Sequence, residues 1–162
     1  MLQSRITKLL AILFISFSVY IDYSVKTFVD QNVRERSQKI VTPYFSIVKV
    51  WNRGVSFGLF DKIDNNNLFL AINLLITLWL FKMLLQEKKL IDMISFSLII
   101  AGAIGNLIDR LRFRAVLDFL DFHIKSLHWF PFNIADSLIC VGGAIWFVSS
   151  VLESTKSPSV KK

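Results

Sequence analysis

Asp118 and Asp136 are acids in apolar company, and that combination is the first chemical signal in the chain. Asp118 stands in Val116-Leu117-Asp118-Phe119, and Asp136 in Phe132-Asn133-Ile134-Ala135-Asp136-Ser137, at the start of a long apolar run. Helical spacing puts Asn133 and Asp136 on one face, which Cys140 and Gly143 continue. An ionisable side chain at membrane depth costs roughly 3 kcal/mol, so it persists only when paired, wetted by a cavity, or used. A single such acid would serve as a packing hydrogen-bonder or a proton relay. Two at comparable depth, in adjacent elements, suggest a carboxylate dyad. Close carboxylates cannot both ionise cheaply and share a proton over a wide pH range. One can then activate water as general base while the other protonates a carbonyl oxygen or a leaving amine.

Three other places break the apolar pattern. Asp22 and Lys26 lie at i, i+4 and can pair, and the same spacing suits a pair snorkelling at the membrane boundary. Asn52-Arg53-Gly54 is turn chemistry. It would equally suit a grip on an extended chain, through Asn52 and the Gly54 backbone. Gly102, Gly105 or Asn106, and Asp109 fall on one helical face. Small residues there let helix backbones approach closely, which leaves Asn106, Asp109 and Arg110 unexplained. Arg110 can form a charge-assisted pair with Asp109 or another carboxylate, or bind a lipid or anionic group. The chain has no Gly-x-Ser-x-Gly elbow, no His-Glu-x-x-His and no phosphate-binding loop. Its single cysteine, Cys140, leaves no intramolecular disulfide or thiolate metal site. His123 and His128, five apart in an expected loop, read as interfacial residues rather than metal ligands. No metal or organic cofactor is expected.

Four apolar stretches can position these groups: residues 9–25, 68–85, 90–108 and 132–152. Each is near the roughly 20 residues that a spanning helix needs. The composition agrees, at 54% hydrophobic and 19% charged, against about 45–50% and about a quarter in soluble domains. The net charge of +7 is dispersed between the apolar runs. That argues against a nucleic-acid partner and for anchoring in a bilayer. A basic segment precedes the first run, as in a signal peptide, but no small-x-small cleavage site follows, so an uncleaved helix is expected. The connection from 26 to 67 is too long for a turn. Residues 44–51 alternate like a strand, 52–54 turn, and 55–60 resume, which predicts a hairpin within an outer cradle over about 41–60. Trp51, Phe57 and Phe60 would rest it on the bilayer surface. The fold class is therefore mostly α, integral membrane: four transmembrane helices with a small β-sheet cradle on the outer face. Residues 1–153 form a single domain in this reading, and 154–162 a disordered cytoplasmic tail. Basic density at the ends and in the 82–90 turn favours cytoplasmic termini.

Taken together, the strings resemble lipoprotein signal peptidase, the signal peptidase II family. Asp22 to Lys26 looks like its Asp-x-x-x-Lys segment, and Asn52-Arg53-Gly54-Val55-Ser56-Phe57 like its Asn-x-Gly-small-small-Phe motif. Gly105-Asn106-Leu107-Ile108-Asp109-Arg110 is similar to Gly-Asn-x-x-Asp-Arg, and Val116-Leu117-Asp118-Phe119 to the acid motif downstream. Phe132 to Ser137 matches Phe-Asn-x-Ala-Asp-Ser. The resemblance implies an aspartyl endopeptidase in the bacterial cytoplasmic (inner) membrane, with Asp118 and Asp136 as the catalytic pair. Asp22, Lys26, Asn52, Gly54, Asn106, Asp109, Arg110, Asn133 and Ala135 would bind substrate or support the site. The implied substrate is a prolipoprotein carrying diacylglycerol on its lipobox cysteine, cut just before that cysteine near the outer face. Globomycin is the implied inhibitor, membrane lipid the surroundings, and a monomer the expected state. Departures from the pattern are Tyr23, Ala101, and Arg114-Ala115 in place of a glycine-containing pair before Asp118. Two rival readings remain at this point. A small transporter would use the acids as ion sites, and a lipid-directed enzyme would use Lys26 and Arg110 on phosphate.

Overall fold

A run of about 20 apolar residues in hydrocarbon must satisfy its backbone N–H and C=O groups within itself, and a helix does so. The computed structural model, which describes residues 2–35, 37–54 and 66–156, has four such helices. They are α1 (Leu2–Asn32), α2 (Asn66–Gln86), α3 (Leu90–Phe113) and α4 (Ile134–Lys156). Each contains a stretch long and apolar enough to cross a membrane. All four expected spans are present, and all run further than their apolar cores. α1 continues past residue 25 because Val29 and Val33 are buried under a sheet. α3 continues to Phe113 and so carries Asp109 and Arg110 on helix. α4 takes in residues 154–156, which composition alone assigns to a tail; residues 157–162 lie outside the described ones.

α3 is the central post. Of its apolar core 67% is buried, against 17–22% in each of the other helices. Lipid supplies no hydrophobic drive between helices, so close backbone approach has to hold them. A Cβ on Gly102 would lie 2.2 Å from the Ala135 carbonyl oxygen of α4. One on Gly142 of α4 would lie 2.7 Å from the Ser95 carbonyl oxygen of α3. These two glycines, at successive levels of the pair, set the antiparallel α3–α4 contact.

The described sheet has the order β1-β2-β3-β4, from β1 (Gln38–Thr42), β2 (Phe45–Asn52), β3 (Val116–Ile124) and β4 (Leu127–His128), all antiparallel. The strand expected at 44–51 is present. The partner expected for it, 55–60, lies outside the described residues, and its described neighbours are β1 and β3. The register of β2 on β3 shifts by one residue between Ile47 and Val50, a β-bulge. His123 and His128 face each other across the β3–β4 hairpin with stacked rings, and so are strand residues rather than loop residues. Leu117 and Phe119 pack on Val29 of α1 and on Val33 just past its end, which fixes the sheet against the helices.

Candidate active site

β3 delivers Asp118, the first turn of α4 delivers Asp136, and backbone bonds lock the two elements together. The amides of Phe119 and Leu120 both donate to the Phe132 carbonyl (3.0 and 2.8 Å), and the Phe132 amide donates to Leu120 (3.1 Å). The next residue, Asn133, opens α4. Its Oδ1 accepts the Asp136 N–H at 2.9 Å, an N-cap that satisfies one orphan donor of the first turn. Its Nδ2 donates to Asp118 Oδ1 at 2.7 Å. From β2, Asn52 Nδ2 donates to Asp118 Oδ2 at 3.0 Å, while Asn52 Oδ1 accepts the Gly54 N–H at 3.0 Å. From α3, Asn106 Nδ2 donates to Asp136 Oδ1 at 2.8 Å. Three carboxamides from three elements therefore aim two carboxylates.

Asp118 is only 3% exposed, whereas Asp136 is half-buried. Burial, and then the neighbouring Asp136 charge, push the Asp118 carboxyl up to about 7, against the opposing pull of the Asn52 and Asn133 hydrogen bonds and Lys26. A carboxyl titrating there gives and takes a proton near neutrality, which is what acid–base catalysis asks of it.

Behind the acids, Lys26 is buried between Asp22 (2.9 Å) and Asp109 (3.0 Å) and also donates to Asn106 Oδ1 (3.0 Å). Asp22 and Lys26 are 1% and 3% exposed. They do pair, but the pair is buried inside the helix packing instead of snorkelling outward. Asp22 Oδ1 accepts the Ala135 N–H at 2.9 Å, so a side chain of α1 satisfies a second orphan donor of α4. Asp109 Oδ2 accepts the Leu117 N–H at 3.2 Å and tethers the start of β3. Arg110 donates through Nη2 to the Gly54 carbonyl and lies over the Phe69 ring. Its Nη1 is buried without a hydrogen-bond partner among the described residues. Asn52-Arg53-Gly54 is thus held at both ends, by Asp118 and by Arg110. Among the described residues, no group of three His, Cys, Asp or Glu is arranged to hold a metal.

A cavity of about 430 Å³ opens between α2, α3 and α4, with Asn52, Asn106, Arg110 and Asp136 at its polar end. A second, of about 420 Å³, reaches Asp136 from beneath Trp129 and Phe132. All eleven residues singled out from the sequence join one connected set of hydrogen bonds and ion pairs at the head of the first cavity.

Relatives bear on what such a set does. The family model for signal peptidase (SPase) II matches residues 14–152. The chain belongs to the signal peptidase II family. The lipoprotein signal peptidase of Serratia marcescens is 38% identical over 138 residues, covering 84% of this chain and 81% of its own. That of Francisella tularensis subsp. novicida is 34% identical over 156 residues, covering 92% and 93%. A bacterial membrane enzyme solved by the in meso method at 2.3 Å resolution superposes with a TM-score of 0.81 at 26% identity, covering 94% of this chain and 93% of that one. A signal peptidase II is a membrane peptidase of the aspartic type for lipoproteins, and this chain is one.

Two features of this family member escape the sequence reading. Asn73 and Thr77, one turn apart, are the polar break in the middle of α2, and Asn73 lines the first cavity. A count of polar residues within the second run would have raised them. Asp121 is buried in the sheet with His128 Nδ1 at 2.9 Å. Only the strand pairing, invisible in one sequence, brings them together.

Proposed function

We propose that this signal peptidase II removes the signal peptide from diacylglyceryl-modified prolipoproteins by cleaving before the lipidated lipobox cysteine, with Asp118 and Asp136 as its catalytic pair. The observation that carries the reading is the aimed pair itself. Asp118 is gripped on both oxygens by Asn52 and Asn133, and Asp136 by Asn106, where the polar and apolar ends of a membrane cavity meet. In this mechanism Asp118 holds the shared proton and Asp136 is the base. A water between them loses a proton to Asp136 as its oxygen attacks the scissile carbonyl, whose oxygen takes the proton of Asp118. When the tetrahedral centre collapses, its C–N bond breaks. Asp136 passes its proton to the departing cysteine nitrogen, and Asp118 regains one as the carbonyl of the new carboxyl group re-forms. Asn52, the Gly54 backbone and Arg110 hold the extended substrate chain. Asp22, Lys26, Asp109 and Ala135 keep the helices that carry the acids in place.

The enzyme acts as a monomer in the bacterial cytoplasmic membrane. Both termini lie in the cytoplasm, and the sheet and acids sit near the outer face, where an exported substrate presents its lipobox. Globomycin is expected to occupy the same site. The deciding measurement is cleavage of a diacylglyceryl-modified lipobox peptide by purified protein, with and without globomycin. Globomycin-sensitive cleavage just before the modified cysteine supports the reading. A folded, inserted protein that leaves the peptide intact overturns it.

A further inference from the structure

The acids and their carboxamides account for the peptide end of the substrate and leave one polar group of the first cavity unused. Asn73 projects from the middle of α2 into that cavity, between Phe69 and Ile72 on one side and Ile76 on the other. It lies one helical turn, about 5.4 Å, further along α2 than Phe69, the ring under Arg110. Its own ties are thin. Nδ2 donates to the Ala103 carbonyl at 3.2 Å, an oxygen within the α3 ladder. Thr77 Oγ1 reaches Asn73 Oδ1 at 3.1 Å but is nearer the Asn73 carbonyl, at 2.7 Å. A carboxamide has two N–H groups, and the second has no acceptor among the described residues. A spare donor in an apolar groove has value only for a ligand that brings an acceptor to that depth.

We infer that Asn73 is a positioning residue that hydrogen-bonds an ester carbonyl of the substrate's diacylglyceryl group, with the acyl chains lying along Ile72 and Ile76. The inference rests on the proposed lipopeptide substrate. With the scissile bond at Asp136, the thioether-linked glycerol hangs a few bonds further into the cavity, and its ester oxygens are the first acceptors beyond the peptide. The second cavity, under Trp129 and Phe132, offers Ser137 as its hydroxyl, and that hydroxyl already donates to the Asn133 carbonyl at 3.0 Å. The diester is accordingly placed in the first cavity, where the Asn73 amide has an N–H to spare.

The test compares two synthetic lipobox peptides, one with ester-linked chains and one with ether-linked chains of equal length, which lacks the carbonyls. The wild-type enzyme is expected to favour the diester by about fivefold in KM, the size of one neutral hydrogen bond. Asn73→Leu should bring the ratio of the two KM values close to one. Thr77→Val, which leaves the Asn73 amide in place, should retain the preference. A residue that only glues α2 to α3 would change both KM values alike and leave the ratio intact, and that result overturns the inference. A wild-type enzyme that cleaves both peptides equally well also overturns it. Cleavage of neither peptide by the wild type would instead sink the proposed lipopeptide substrate, and this inference with it. Asn73→Ala, which removes the amide without adding bulk, replaces the leucine variant if that one does not insert.

Discussion

At the scale of single residues the site depends on where one proton sits. Asp118→Asn and Asp136→Asn each remove a proton-transfer group and should each lower turnover by at least about 10²–10⁴-fold while the protein stays folded and inserted. Single-turnover cleavage measured beside thermal unfolding in detergent checks both halves of that statement. In the proposed mechanism Asp118 must be protonated, and its carboxyl titrates at about 7. Peptidase kcat/KM should then fall about tenfold per pH unit above that value. The folded carboxyl lies above its ordinary 3.8, so between about 4 and 7 the folded state binds more protons than the unfolded chain. This group therefore lowers stability as pH rises through that window. A pH–rate profile that stays flat from 7 to 9 would remove Asp118 from the acid role. These acids were legible in the sequence because charge inside an apolar run is costly and needs a reason. The part played by Asn133 was not, since a residue that caps one acid's helix while gripping the other acid needs both elements folded.

At the scale of elements, glycines decide how near α3, which carries Asn106, can come to the start of α4, which carries Asp136. Ala135 adjoins Asp136 in α4, and its carbonyl leaves no room for a Cβ on Gly102. Gly102→Ala should force α3 and α4 apart, at about 1–3 kcal/mol, and impair cleavage through the displaced start of α4. Gly143→Ala meets nothing within 4 Å and should be neutral or slightly stabilising, as alanine favours helix over glycine by up to about 1 kcal/mol. Melting temperature and peptidase rate of the two variants, read together, separate close packing from general helix effects. Arg114 shows how a departure from the family pattern is accommodated. It ends α3 in the left-handed region, with φ 57°, where a glycine would have no Cβ to strain. The four spans were legible from apolar length alone. The strand partners were not, because β2 and β3 are joined across more than sixty residues of intervening chain and periodicity carries no information on pairing.

At the scale of the whole molecule, lipid and protein divide the apolar surface between them. Leu13 and Phe17 of α1, Leu75 and Trp79 of α2 and Phe147 of α4 are all exposed, which in water would be an aggregating surface and in a bilayer is the ordinary exterior. Ile40, Ile124, Leu127 and Trp129 extend that exterior over the sheet, so the cradle and the spans can share one membrane boundary. Inside, Lys26 joins α1 to α3 by meeting Asp22 and Asp109 together. Lys26→Met should leave two buried carboxylates without their cation and cost about 3–5 kcal/mol. A large drop in melting temperature is expected, and an unchanged one would show that Asp22 and Asp109 find other partners.

The bulge in β2 has a consequence for parity. Side chains alternate along a strand, so Phe45 and Ile47, opposite Phe122 and Leu120, project to the face of β3 that carries Asp118. After the extra residue, the even-numbered Val50 and Asn52, opposite Asp118 and Val116, take over that face. An unbroken strand would turn Trp51 toward the acid and send Asn52 to the far side of the sheet. One residue of surplus backbone thus decides which β2 side chain grips Asp118, and losing it would leave the acid to Asn133 alone while sparing every residue of the motif.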